Sequence, residues 1–419
     1  MFKIINREKF GEYFWTIFFC GIILISVTGG AISRVVIGND TWGYYANYLC
    51  WFIWWLMYIA KEKKLRFAKK YNIIFGVIVL NTIIGALFGR ITLNLDFSNL
   101  HQGFLTGLII LIVMGVDWND YLEKKDIVLI MKVIFWIGIV ASLYAMFVQN
   151  KNLIGVLKGV DKSINTWEYK SFFGQRNVFA YFCFLSSVAG KYLLNFSKQR
   201  KYIVGMGLLA LQIYITDSRT AILVLILFYF MCVYFKLGKR EKIILPFIFV
   251  AIVICMKIMG MDDVLIGKFY HDSKTMYGDS GILRLNMWYA GIDFLISNYA
   301  ILTGFGFGAN APYLNPFFNL NSFHNAYMDI FFQGGIILLG IHVFLIICVI
   351  KKILNLDSKE NKYISLSFVC SFLIGCLFDS SAMLFASNYE SVLATVMVCV
   401  LSKVEIKEDS IYNNSPDLL

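Results

Sequence analysis

The sequence predicts an all-α integral membrane protein of about twelve transmembrane helices, with one large extracytoplasmic loop that contains an amphipathic helix. Three observations carry that expectation. The 419 residues are 59% hydrophobic and 17% aromatic, and only 16% are charged, against about 25% in soluble domains; a soluble fold could not cover its surface. The apolar stretches are continuous rather than alternating. Inside hydrocarbon only helices and closed barrels satisfy their own backbone groups, so continuity selects helices. Between the stretches lie basic runs such as Lys61-Glu62-Lys63-Lys64-Leu65-Arg66 and Lys198-Gln199-Arg200-Lys201, as expected where Lys and Arg accumulate in cytoplasmic loops. The net charge of +11 therefore reports topology rather than nucleic-acid binding.

Each span needs roughly 20 apolar residues. They are placed near 13–33, 42–60, 71–90, 99–117, 127–148, 177–195, 202–217, 219–237, 243–260, 325–350, 363–382 and 385–402. An even number puts both termini on one side, which the excess of Lys and Arg makes cytoplasmic. The chain then divides into a membrane region at 1–260, an extracytoplasmic loop at 261–324, a second membrane region at 325–403 and a polar tail at 404–419. Lys3, Arg7 and Lys9 precede the first apolar stretch without a convincing cleavage site, so that stretch reads as a retained helix. The spans 202–217 and 219–237 are joined only at Asp217-Ser218-Arg219, which holds Arg219 at the outer boundary; Asp379-Ser380-Ser381 joins the last two. The nine cysteines lie mostly inside spans without CxxC spacing and read as packing residues.

Residues able to do chemistry gather around the outer loop. Arg284 follows Asp279-Ser280, either of which suits an N-cap. Ile282, Leu285, Trp288 or Tyr289, Ile292 and Leu295 then recur at helical spacing. The segment reads as an amphipathic helix on the outer membrane surface with Arg284 in its first turn. A guanidinium near a helix start suits a phosphate or diphosphate; taken alone, it is also an arginine snorkelling to lipid headgroups, the commoner case. His324 stands before the span that begins Asn325-Ala326-Tyr327. Its imidazole suits a general base for a sugar hydroxyl, although a lone interfacial histidine is more often an anchor.

Arg219 lies near hydrocarbon, where a cation costs roughly 2.5–3.5 kcal/mol at a helix centre and less at the boundary. Asp217 offers it a structural counter-ion as readily as an anionic substrate does. The segment Ser171-Phe172-Phe173-Gly174-Gln175-Arg176-Asn177 brings another cation to the same face, as a second substrate wall or as the start of the sixth span. Gly304, Gly306 and Gly308 fall short of GxGxxG, since position 309 is Ala, and read as a flexible turn. The chain carries no HExxH, no clustered Asp pair suggestive of a divalent metal and no GxSxG.

Taken in order, Arg284 with Trp288, the run Gly304-Phe305-Gly306-Phe307-Gly308, His324-Asn325-Ala326-Tyr327 and Gly334-Gly335-Ile336 resemble the signature loop of O-antigen polymerases and O-antigen ligases. Ser218-Arg219-Thr220-Ala221 and Gly174-Gln175-Arg176-Asn177 resemble upstream motifs of that family. The likeness covers about 171–347, and its specificity lies in motif order and shared outer placement. The resemblance implies a membrane glycosyltransferase of the type C kind, acting on undecaprenyl-diphosphate-linked saccharides outside the cytoplasmic membrane with no metal or nucleotide cofactor. It implies catalytic roles for His324, Arg284 and Arg219: the two arginines on the diphosphate, the histidine on the acceptor hydroxyl. Arg176, Asn177, Asn325 and Tyr327 are then candidates for substrate binding. One departure is Gln333, near which the family often has a carboxylate.

A polymerase of lipid-linked oligosaccharide repeat units, for capsule, exopolysaccharide or O-antigen, is the favoured activity. Abundant Lys, Ile, Asn and Phe suit an AT-rich genome such as that of a Gram-positive cell making capsule or exopolysaccharide, where lipid A ligation does not arise. A ligase transferring finished glycan to another acceptor shares the motifs. A flippase fits less well, because transporters place ionisable groups near the midplane of repeated helices, whereas Lys132, Lys191, Lys257 and Asp329 lie near span ends. Expected partners are the lipid-linked donor and acceptor, membrane lipid, a chain-length regulator and a flippase.

Overall fold

The structure is a computed structural model that describes residues 69–115, 124–149, 170–171, 173, 175–242, 280–379, 384 and 389–403, with isolated positions between 20 and 56. Apart from those positions, the expected spans at 13–33 and 42–60 lie outside the described residues. So do the span at 243–260, the loop residues 261–279 and the tail at 404–419.

Among the described residues the named elements are all helices. In chain order they are α1 (Lys69–Leu93), α2 (Leu100–Gly115), α3 (Lys124–Tyr144, continued by a π-turn over Ala145–Gln149), α4 (Arg176–Ser197), α5 (Arg200–Ile215) and α6 (Arg219–Tyr234). They continue with α7 (Ser280–Ser297), α8 (Asn310–Phe318), α9 (Ala326–Leu354), α10 (Lys359–Gly375) and α11 (Tyr389–Lys403). The expected spans at 71–90, 99–117, 127–148, 177–195, 202–217, 219–237, 325–350, 363–382 and 385–402 correspond to α1 to α6 and α9 to α11. Four helices among the described residues are long and apolar enough to cross a membrane: α1, α3 with its extension, α4 and α9. This is the framework of a multi-pass helical membrane protein.

The centre of the bundle is α4, which packs against α3, α5, α6, α10 and α11. Its side chains from Val178 to Ala189 are buried on all sides, the pattern of a helix enclosed by others. Helices in lipid gain nothing from excluding water, so close approach of small residues carries the packing. Phe135 of α3 fits a notch made by Gly190 of α4 and Gly205 of α5, and the Ser186 hydroxyl donates to the Ile134 carbonyl at 3.1 Å.

On top of this bundle sits an outer unit with its own core. Met287, Leu295, Phe305, Tyr313, Leu314, Phe323 and Phe332 form it. Phe332 is its hub, with ring centroids 4.8 Å from Tyr313, 5.1 Å from Phe323 and 5.2 Å from Phe305. Helix α7 is three-sided rather than two-sided. Arg284, Trp288, Gly291 and Leu295 share the face turned to the protein, where Gly291 receives Phe323. Leu285, Tyr289, Ile292 and Ile296 form an exposed apolar stripe, and Asn286, Asp293 and Ser297 a polar one. The expected single apolar stripe is thus split. Arg284 is also the fifth helical residue, in the second turn rather than the first.

Helix α8 lies where the sequence reads as loop. Pro312 falls in its first turn, where the missing N–H has no intrahelical partner anyway. Pro316 costs one internal bond, which burial of Tyr313 and Leu314 offsets. Asn319, at φ 54°, closes the helix by donating its N–H to the Asn315 carbonyl at 3.0 Å.

Helix α9 is broken at Gly335 (φ 63°, ψ −165°). The freed carbonyls of Phe332 and Gln333 accept from the N–H groups of Phe305 (3.0 Å) and Gly306 (2.8 Å), and that of Gly334 from the Asn81 amide (2.9 Å). In return, the N–H groups of Ile336 and Ile337 donate to the carbonyls of Ile301 (2.9 Å) and Leu302 (3.2 Å). The run 304–308 is therefore a tightly held backbone plug, not the flexible turn expected. Its glycines are required by close approach: a Cβ on Gly306 would lie 2.9 Å from the Ala86 nitrogen of α1, and one on Gly85 would lie 2.9 Å from the Gly306 nitrogen. Replacing Gly335 by Val adds left-handed strain and drives Cβ into the Leu302 carbonyl. The expected cost is about 2 kcal/mol or more, seen as a lower thermal unfolding midpoint in detergent. Gly340→Ala, whose Cβ meets open space, leaves that midpoint unchanged.

Candidate active site

Five stretches far apart in sequence converge beside the outer unit: the starts of α4 and α6, the inward face of α7, the strap Phe323–Asn325 and the end of α10. The strap is fixed from several directions. Trp288 Nε1 donates to the Phe323 carbonyl at 2.9 Å. The Phe323 N–H donates to Asp329 Oδ1 at 2.9 Å, and the same oxygen accepts Asn310 Nδ2 at 2.7 Å. Beyond it, the Ala326 N–H donates to the Cys376 carbonyl at 2.8 Å. Asn325 caps α9, its Oδ1 accepting the N–H groups of Tyr327 (3.0 Å) and Met328 (3.1 Å).

Between these anchors His324 is held at φ 52°, a left-handed conformation costing about 1–2 kcal/mol. Strap hydrogen bonds of about 1 kcal/mol each offset that cost. The result is a half-buried imidazole presented from a rigid backbone.

The charges around it are unequal. Arg284 Nη1 reaches the Phe378 carbonyl at 3.5 Å, next to Asp379, which is only 5% exposed. Asp379 Oδ2 accepts Asn177 Nδ2 from the start of α4 at 3.4 Å. Burial lowers the pKa of Arg284, Asp379 opposes that shift, and Arg219 adds to it; a guanidinium remains charged regardless. Arg219 is the first residue of α6, after a left-handed Asp217 (φ 56°) and Ser218. Burial holds the His324 pKa below its usual value, Arg284 lowers it further, and Asp379 pulls it upward. His324 is therefore neutral at pH 7 and able to accept a proton.

Among the described residues the site brings two guanidiniums and the positive N-terminal ends of α4 and α6 together with the carboxylate of Asp379. That arrangement attracts a multiply charged anion and sets a base beside it.

Of the residues picked from the sequence, Arg219, Arg284, His324 and Asn177 come together, and Arg176 opens α4 beside Asn177. Asn325 and Tyr327, candidates for substrate contact, direct polar groups into the fold; Tyr327 Oη donates to the Leu373 carbonyl at 2.9 Å. Gln333 uses its carbonyl to hold Gly306. The carboxylate that pulls the His324 pKa upward is Asp379, just past the end of α10, which sequence reasoning treated only as part of a turn. Its signal was an acidic residue at the outer end of an apolar span, where burial is costly and a functional role common.

No curated protein matches the chain. Residues 204–343 match the family described as O-antigen ligase. The matched stretch runs from α5 into α9 and holds Arg219, Arg284 and His324, while Asn177 and Asp379 lie outside it. Over residues 204–343, the stretch that carries both arginines and the histidine, the chain is similar to the family described as O-antigen ligase.

Proposed function

We propose that this protein is a polymerase that joins undecaprenyl-diphosphate-linked oligosaccharide repeat units into a polysaccharide at the outer face of the cytoplasmic membrane. The observation that carries the reading is the convergence of Arg219, Arg284, His324 and Asp379 on one site. The acceptor hydroxyl attacks the anomeric carbon of the lipid-linked donor. A bond forms between the hydroxyl oxygen and that carbon, the bond from the carbon to the diphosphate oxygen breaks, and the proton passes to His324. Arg219 and Arg284 stabilise the charge growing on the departing diphosphate, and Asp379 stabilises the imidazolium that forms. A base and a leaving group on opposite sides of the carbon give inversion. Arg176 and Asn177 border the saccharide, and Asn325 and Tyr327 act by holding the strap.

The chain fits this work with twelve spans, both termini cytoplasmic and the loop at 261–324 outside. On α7, the apolar stripe meets the outer leaflet and keeps Arg284 at the depth of lipid phosphates. A flippase supplying donor and a chain-length regulator are the partners this chemistry calls for. The description of the matched family as O-antigen ligase favours a second reading, in which the same chemistry moves finished glycan to a different acceptor.

Gel analysis of surface glycan from a deletion strain complemented with each variant separates the two. A polymerase leaves single repeat units when deleted; a ligase leaves long chains on the carrier lipid; unchanged glycan would overturn both. His324→Ala is expected to fold and insert, yet to lose about 10²–10⁴-fold of the transfer rate, leaving single units. The pH profile provides an independent check. Activity needs neutral His324, so it is lost as pH falls through the His324 pKa, and the midpoint of the acid limb lies below the free-histidine value of about 6.5. Asp379→Asn removes an upward influence and shifts the limb of the residual rate lower, whereas Arg284→Gln removes a downward one and shifts it higher.

A further inference from the structure

Tyr181 of α4 is 1% exposed, and among the described residues its hydroxyl has no hydrogen-bond partner. Buried phenols normally have one, and phenylalanine would fill the same space without that burden. The hydroxyl lies under the last turn of α10, 3.2 Å from where a Cβ on Gly375 would stand. One turn further on, the Asp379 N–H donates to the Gly375 carbonyl at 3.1 Å. Along α4, Tyr181 follows Asn177 by four residues, so the two share a face, and Asn177 already reaches Asp379. That contact, at 3.4 Å, is long, and a carboxylate can accept several more bonds.

We infer that Tyr181 is a positioning residue for Asp379, its hydroxyl donating to the carboxylate when substrate binds. This rests on the glycosyl-transfer reading above. In the free enzyme Arg284 balances Asp379. Once Arg219 and Arg284 turn to the donor's diphosphate, that balance weakens just as Asp379 must stay ionised and face the imidazolium of His324. Asn177 and Tyr181, one turn apart on the most buried helix of the bundle, form a seat that does not move with the arginines. No new bond to substrate is involved; the hydroxyl acts through Asp379 and then His324.

The test uses the full-length enzyme in lipid nanodiscs with lipid-linked repeat units, comparing wild type with Tyr181→Phe. The expected result is a fall in kcat of about tenfold with the donor KM unchanged. The unfolding midpoint should not fall, because the variant removes only an oxygen. The acid limb should move to lower pH, since His324 loses part of the upward influence of Asp379. Wild-type kcat in the variant would overturn the inference, as would a fall in kcat with an unmoved acid limb or a lowered midpoint. If wild type links no units at all, the glycosyl-transfer reading fails first and takes this inference with it.

Discussion

The break in α9 at Gly335 governs much of what lies above it. A helix interrupted at membrane depth exposes carbonyl and N–H groups that hydrocarbon cannot satisfy. Here each freed group named above has a partner in the run 301–306 or in Asn81. That exchange requires the 304–308 backbone to lie against α1 and α9, which in turn seats Phe305 on Phe332. Phe332 then supports Phe323, and Phe323 carries the strap to His324. A requirement of backbone hydrogen bonding is thereby converted, through three aromatic side chains, into the placement of the His324 imidazole.

The electrostatics of the site follow a different logic. Two arginines and a histidine near the edge of a low-dielectric region are costly unless something offsets them, and Asp379 is the carboxylate that faces them. Arg219 and Arg284 on one side and Asp379 on the other give the site the mixed charge on which the proposed diphosphate binding rests. His324 consequently feels opposed influences: burial and Arg284 hold it neutral at rest, and Asp379 makes the proton bearable once it arrives. A base that is neutral at rest but stabilised when protonated needs a cation and an anion within reach, and both are present.

Much of this was legible in the sequence. Continuous apolar runs gave the helices α1 to α6 and α9 to α11, because their signal needs only local composition. Arg219, Arg284 and His324 stood out as ionisable groups where such groups are expensive. Other features were hidden for physical reasons. Asp379 faces Arg284 across 95 positions of chain (379 − 284), a distance no local pattern reports. Helix α8 contains Pro312 and Pro316, residues that argue for loop until burial of Tyr313 and Leu314 overrides them. The glycines at 304, 306 and 308 read as freedom to move, when their lack of side chains serves close packing: Gly304 against Gln333, Gly306 against Gly85 and Ala86, and Gly308 against Asn99. The periodicity of α7 predicted a helix but not that Trp288 and Tyr289, adjacent in sequence, point to opposite surroundings.

Because the outer unit has its own core, its geometry is independent of the helix surfaces that face lipid. The side chains of Val343, Phe344 and Ile347 of α9, beyond the break, are exposed. Bilayers differ by several ångströms in thickness, and membrane proteins adjust through the length and character of such outward side chains. Substitution there can retune the protein to a thinner or thicker membrane while the polar constellation above keeps its shape, so adaptation to a new lipid environment and preservation of the chemistry fall on separate sets of residues.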